Sequence, residues 1–178
     1  MGVIVAAFAG TGKTFLSRQY PDKILDLECM PYKYNVEPGT VFSEADKASF
    51  WDIADDWPHN YFERIKEVSN DHDIILIPPD TRVLELLRLD GIPYILVYPD
   101  RQCKDEYKER FISRGNQEEF IYVFIDGWDR FMDTYETIEC AERLVLDCGE
   151  FLTFDKLERF IKAPIYTANP WTASRSAE

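Results

Sequence analysis

The stretch Gly2-Val3-Ile4-Val5-Ala6-Ala7-Phe8-Ala9-Gly10-Thr11-Gly12-Lys13-Thr14-Phe15-Leu16 decides how the rest of the chain is read. Residues 2–8 are an apolar run of strand length, and a glycine-rich turn follows at once. Phe15, Leu16 and Tyr20 then recur at helical spacing. A buried strand passing directly through a tight turn into a helix is the opening unit of an α/β protein.

Working outward, the same alternation repeats. Pro21 and Asp22 end the first helix, and residues 23–28 (KILDLE) read as a second strand that finishes in Asp26 and Glu28. Residues 29–40 read as an irregular loop carrying Tyr32, Lys33 and Tyr34. Ser43 can cap a helix through Phe50, Trp51 and Ile53, with Asp46 in its first turn. Pro58 is pre-set to open the next helix, whose Phe62, Ile65 and Val68 face inward. Residues 73–77 form a third strand closed by Pro78-Pro79, and Asp80 or Thr81 begins a helix ended by Gly91. Residues 93–98 make the fourth strand. A basic helix over 101–114, a long helix over 117–135 with Gly127 in its middle, a fifth strand over 143–147 and a last helix over 155–162 complete the order.

Strands separated by helix-length segments predict an α/β fold in three α/β/α layers, with a mostly parallel five-stranded sheet. The right-handed crossover rule sets the strand ends that carry Gly10, Glu28, Pro78 and Pro99 along one edge, where such sheets bind ligands. Residues 1–163 read as one domain, and 164–178 as a tail without periodicity.

Composition limits the classes of function. The chain has 178 residues, 46% hydrophobic and 30% charged, the balance of a globular protein with a real core. Asp plus Glu outnumber Lys plus Arg by 33 to 20, a net charge of −13. Such a field repels a phosphate backbone, so long nucleic acid is an unfavourable partner and a small ligand received by a local basic cluster is expected instead. The apolar start is too short for a signal peptide and no apolar stretch is long enough to span a membrane, so a cytoplasmic location without membrane contact is expected. Cys29, Cys103, Cys140 and Cys148 are scattered and read as free thiols. His59 and His72 have no visible nucleophile partner and read as structural or surface residues, and the four tryptophans read as core or tail contacts.

Ala9-Gly10-Thr11-Gly12-Lys13-Thr14 has the parts of a phosphate loop. These are glycines that turn successive N–H groups inward, a helix start, a lysine for the β and γ phosphates and a hydroxyl for magnesium. Ala7 stands where the usual pattern has its first glycine, which fits if φ there stays negative or the turn begins later. A basic run follows the fourth strand, with Arg101, Lys104, Lys108, Arg110 and Arg114 interleaved with Asp105, Glu106 and Glu109.

On these residues the chain resembles the P-loop nucleoside and nucleotide kinases, the adenylate-kinase-like and shikimate-kinase-like group. Asp26-x-Glu28 resembles the acidic pair of such kinases, and residues 101–114 are similar to their arginine-rich lid. Together with the WPHNY and RFISRGN stretches, the set also resembles small kinase-like proteins carried by phages and Gram-positive bacteria.

The resemblance implies a P-loop NTPase fold with a helical lid at about residues 100–116, and ATP and Mg²⁺ as cofactors. It further implies phosphoryl transfer to a small acceptor such as a nucleoside or nucleoside monophosphate. Ala9, Gly10, Thr11, Gly12, Lys13 and Thr14 would hold the nucleotide, and Lys13 the β/γ oxygens. Thr14 and Asp26 would hold the metal, or Asp26 would accept the acceptor's hydroxyl proton, with Glu28 as its partner. Arg110 and Arg114 would meet the transferred group through their guanidinium forks. Lys33 and Arg82 are candidates for an acceptor phosphate. The alternative is a regulatory protein that binds nucleotide with little transfer, for which Ala7 is the motive. A guanine-nucleotide switch is disfavoured, because Ile77-Pro78-Pro79 lacks an acidic strand end. The roles of Asp80 and Cys29, and the oligomeric state, stay open.

Overall fold

The computed structural model describes residues 1–36 and 52–162. The predicted helix from Ser43 through Phe50 and Trp51, and the tail at 164–178, lie outside the described residues. Five strands form one sheet, β1 (Val3–Ala7), β2 (Ile24–Asp26), β3 (Ile74–Ile77), β4 (Tyr94–Pro99) and β5 (Glu142–Leu146). Their order is β2-β3-β1-β4-β5, and each neighbouring pair is parallel.

The inner strands are buried on both faces, so their side chains divide by the two-residue period. Ile4, Ala6 and Phe8 join the hydrophobic cluster on one face, with Ile75 and Ile77 of β3 and Tyr94, Leu96 and Tyr98 of β4. Val3, Val5 and Ala7 join the other, with Ile74, Leu76, Ile95 and Val97. This is why residues 2–8 read as unbroken apolar sequence.

Helices cover both faces, an arrangement compatible with three α/β/α layers. Leu16 of α1 (Lys13–Gln19) and Leu157 and Phe160 of the last helix pack on the second face. The first face carries α3 (His59–Val68), α4 (Thr81–Leu89), α5 (Lys104–Ser113) and α7 (Trp128–Thr137). The chain leaves β1 through α1 and passes β3 to reach β2; every later crossover steps the other way. With right-handed crossovers, that reversal puts α1 opposite α3 to α7 and opens a crevice beyond the carboxyl ends of the strands.

Several elements differ from the sequence expectation. A short helix, α2 (Met30–Lys33), opens the stretch read as irregular, with Pro31 in its first turn, where the missing N–H costs nothing. Ile53 is not helical and bridges Tyr34 in antiparallel fashion. Strand β2 stops at Asp26: Leu27 makes one more bond, to the Leu76 carbonyl at 2.9 Å, but Pro78 has no N–H to return, the Leu27 carbonyl accepts from the Tyr61 hydroxyl instead, and Glu28 lies beyond. The helix read over 117–135 is three pieces: α6 (Glu118–Ile121), a π-helical turn (Tyr122–Asp126) and α7, divided at Gly127. A Cβ at Gly127 would lie 2.5 Å from the Val123 carbonyl oxygen, so glycine permits the wider turn to close.

The four cysteines are not all free thiols. A disulfide joins Cys103, in the 3₁₀ turn before α5, to Cys148, just after β5, across 45 residues of sequence. The pairing follows from β4 and β5 being adjacent: the turn after β4 and the turn after β5 leave the same sheet edge side by side. Cys29 and Cys140 remain free.

Candidate functional site

The glycine loop between β1 and α1 is shaped by its glycines. Gly10 and Gly12 hold φ at +80° and +98°, a left-handed region that L side chains rarely occupy. Ala7 ends β1 and is fully buried, and no described residue other than glycine has positive φ, so the turn begins after the alanine. Phe8 anchors the near side of the loop, with its ring edge-on to Phe124 and Trp128 at centroid distances of 5.4 and 5.6 Å. Thr11 is buried and turned inward, donating its hydroxyl to the Phe8 carbonyl at 2.8 Å. Its side chain braces the loop from within.

Lys13 and Thr14 open α1. The Lys13 ammonium curls back over the loop and donates to the carbonyls of Ala7 at 2.8 Å and Phe8 at 3.1 Å. The Thr14 hydroxyl donates to Asp26 Oδ2 at 2.7 Å. A half-buried hydroxyl and a carboxylate in contact are a hard-oxygen donor set, of the kind that suits Mg²⁺. Glu28 does not share this position; it is exposed and lines the cleft further on.

The loop forms one wall of a cleft of about 1320 Å³. Gly10, Glu28 and Pro78 line it, as the sheet-edge argument expects, while Pro99 is still paired within β4. Another part of its lining is aromatic, with Phe120, Tyr122, Phe124, Phe131 and Tyr135, of which Phe124, Phe131 and Tyr135 pack against Phe8. Tyr122 and Val123 are exposed there because the π-helical turn rotates them off the core. In sequence Phe120, Val123 and Phe124 read as part of the buried side of one long helix, with Trp128, Phe131 and Met132, so this side of the cleft was not visible as a surface; Gly127 was the available signal.

The basic segment divides by function. Arg101 bonds Asp133 at 2.6 Å and Glu136 at 3.1 Å, and Lys104 lies 3.7 Å from Asp129, so these cations tie the start of α5 to α7. Tyr107 and Phe111 of α5 are core residues. Arg110 and Arg114 line the cleft. The Arg110 guanidinium donates to the Gly10 carbonyl at 3.1 Å and the Glu150 carbonyl at 3.0 Å, and pairs with Glu106. It stacks between Tyr107 and Phe151, 4.5 and 4.0 Å from their ring centroids. Burial pushes the Tyr107 hydroxyl up to about 12, against the pull of Arg110. Glu106, Glu150 and Phe151 carried no pattern in the sequence that marked them for this neighbourhood.

Asp80 organises the far wall. It caps α4 by accepting from the Arg82 N–H at 3.1 Å, and takes two further bonds from the Arg82 guanidinium at 3.2 and 3.0 Å. The Lys33 ammonium lies 3.5 Å away. Burial works to raise the Asp80 carboxyl, but the Arg82 hydrogen bond and the Lys33 charge outweigh it and hold the group below its ordinary range. Lys33 lines the cleft, whereas Arg82 sits behind Asp80 with its guanidinium over the Trp57 ring at 5.6 Å. Cys29, also on the cleft, is a protonated thiol: burial pushes it up to about 11, with Lys33 opposing in part.

Compared with protein-family models and with curated proteins, the chain matches none.

Proposed function

We propose that the chain is a P-loop phosphotransferase that moves the γ-phosphoryl group of ATP to a small acceptor, with a nucleoside or nucleoside monophosphate the best fit. The observation that carries this reading is the glycine loop. Left-handed Gly10 and Gly12 turn its backbone, Lys13 folds back over it, and Thr14 reaches Asp26, with Gly10, Gly12, Lys13 and Thr14 lining one large cleft.

In this reading Lys13 exchanges the Ala7 and Phe8 carbonyls for the β and γ oxygens of the donor. Thr14 and Asp26 would hold Mg²⁺, which when bound neutralises charge on the donor phosphates. Arg110 and Arg114, the cleft-facing part of the lid segment, approach the transferred group from α5. Asp26, with Glu28, positions the acceptor; for a hydroxyl acceptor Asp26 takes the proton, and for a phosphate acceptor no base is needed. The aromatic wall suits a planar base, and the Lys33–Asp80 pair supplies polar groups at its edge.

Two observations favour a second reading, a nucleotide-binding regulator with little transfer. Arg110 is already engaged by Gly10, Glu106 and Glu150, and Ala7 replaces the loop's first glycine. The test is ³¹P NMR of the protein with ATP, Mg²⁺ and a pool of nucleosides and nucleoside monophosphates, beside Lys13→Ala. Transfer predicts a new phosphorylated product whose rate falls by about 100-fold or more in the variant. ATP bound but left intact with every acceptor supports the regulator, and absence of ATP binding removes both readings.

A further inference from the structure

The Cys103–Cys148 disulfide joins the two walls that hold Arg110. Cys103 is buried, 1% exposed, at the start of α5, the helix that carries Glu106, Tyr107 and Arg110. Cys148 is exposed and begins the turn that carries Glu150 and Phe151. That turn rests on the glycine loop: the Leu152 N–H donates to the Thr11 carbonyl at 2.9 Å, and Phe151 lies 3.3 Å from where a Cβ on Gly12 would stand. Glu106 ties the same elements together, accepting from the Gly149 N–H at 2.7 Å and pairing with Arg110.

We propose that Cys103–Cys148 is a thiol-reducible clamp that sets how firmly Arg110 and Phe151 are held against the glycine loop, and so makes ligand binding at that loop depend on redox state. The partner chemistry is a dithiol reductant. Its thiolate attacks the exposed Cys148 sulfur, the Cys103–Cys148 bond breaks, and Cys103 leaves as a thiolate and takes a proton. The reductant's second thiol then displaces Cys148, which is protonated in turn. The reductant ends as a cyclic disulfide and the protein gains two hydrogens.

Once the bond is cut, the exposed part of the turn keeps only its hydrogen bonds and the Arg110–Phe151 stack, with buried Leu152 as its anchor, and such segments open locally more often. A ligand whose binding needs the closed turn then meets a smaller competent fraction, and its apparent affinity falls in proportion.

The test compares the oxidised chain with the chain reduced by dithiothreitol, with a zinc-selective chelator and excess Mg²⁺ present because two thiolates and the Glu106 carboxylate form a zinc-binding set. Maleimide tagging of the denatured protein should count two thiols before reduction and four after; four before reduction overturns the proposal. Hydrogen exchange at the Gly149 and Leu152 amides should quicken by about tenfold or more on reduction, and ATP should bind about threefold or more weakly. Cys148→Ser, at an exposed position, should behave as the reduced chain and ignore the reductant. Unchanged exchange on reduction, or a Cys148→Ser chain that still responds, overturns the clamp. The binding arm rests on the nucleotide reading. Faster exchange with no ATP binding in either state upholds the clamp and counts against that reading alone.

Discussion

At Gly12 the backbone sits at φ +98°, and an added Cβ would also press on Phe151 Cδ1 at 3.3 Å. Gly12→Ala therefore meets a strained dihedral and a crowded ring together. The expected cost is about 1–3 kcal/mol of stability, read as a lower urea midpoint, with a larger proportional loss of ATP binding as the loop N–H groups are re-aimed. A variant as stable as the parent that still binds ATP would remove the glycine argument for this loop.

Asp80 poses a different single-residue question, because its side chain is only 16% exposed and answers to two cations. A carboxyl held below its unfolded value binds fewer protons when folded. Its stabilisation is therefore complete above that value, 3.8, and is lost as pH falls through the depressed folded one. Asp80→Asn keeps the α4 cap and removes the charge. The variant should be less stable than the parent at pH 7, and the gap should close below about pH 4, measured as paired urea midpoints across that range. An equal gap at pH 7 and pH 3 would mean that the hydrogen bonds, and not the charge, hold this wall.

At the scale of elements, the π-helical turn is the feature that gives the cleft its aromatic wall. Because a Cβ at Gly127 would stand 2.5 Å from the Val123 carbonyl, Gly127→Ala cannot be absorbed by a side-chain shift. The turn or the start of α7 must move. A cost of about 1–3 kcal/mol is expected in chemical denaturation, and, in the proposed phosphotransferase, weaker binding of an acceptor that touches Tyr122 or Phe124. Unchanged stability would show that the division of α6 from α7 does not depend on this glycine.

The same region shows where sequence reasoning stops. The order of strands and helices was legible because apolar runs of strand length and segments of helical period alternate cleanly at Gly10, Pro21, Pro78 and Gly91. The wall was not, since five apolar residues at 120–124 look alike whether the helix continues or widens by one residue. Nor was the division of the basic segment: the resemblance singles out Arg110 and Arg114, but that Arg101 bonds Asp133 of α7 and that Arg110 is held by the Gly10 carbonyl follow only from the packing.

For the whole molecule, charge imbalance is the property that no local contact can remove. With 33 acidic and 20 basic residues, even complete one-to-one pairing would leave 33 − 20 = 13 carboxylates without a cation. The described ion pairs are mostly at exposed side chains, where each is worth about 0–1 kcal/mol and is itself weakened by salt. Two salt effects therefore compete: screening of those pairs destabilises, and screening of net repulsion stabilises. The repulsion acts among all the surplus carboxylates of the compact chain at once and relaxes on unfolding, so it is the larger effect. Raising NaCl from about 20 to 200 mM, which shortens the screening length well below the molecular diameter, should raise the melting temperature, at about 2–4 °C per kcal/mol gained for a chain of this size. The same experiment in Arg101→Gln, which removes one cation from a cluster of three carboxylates on α7, should show a steeper rise with salt than the parent. A melting temperature that falls with salt would mean that paired surface charge, and not surplus carboxylate, governs the stability of this fold.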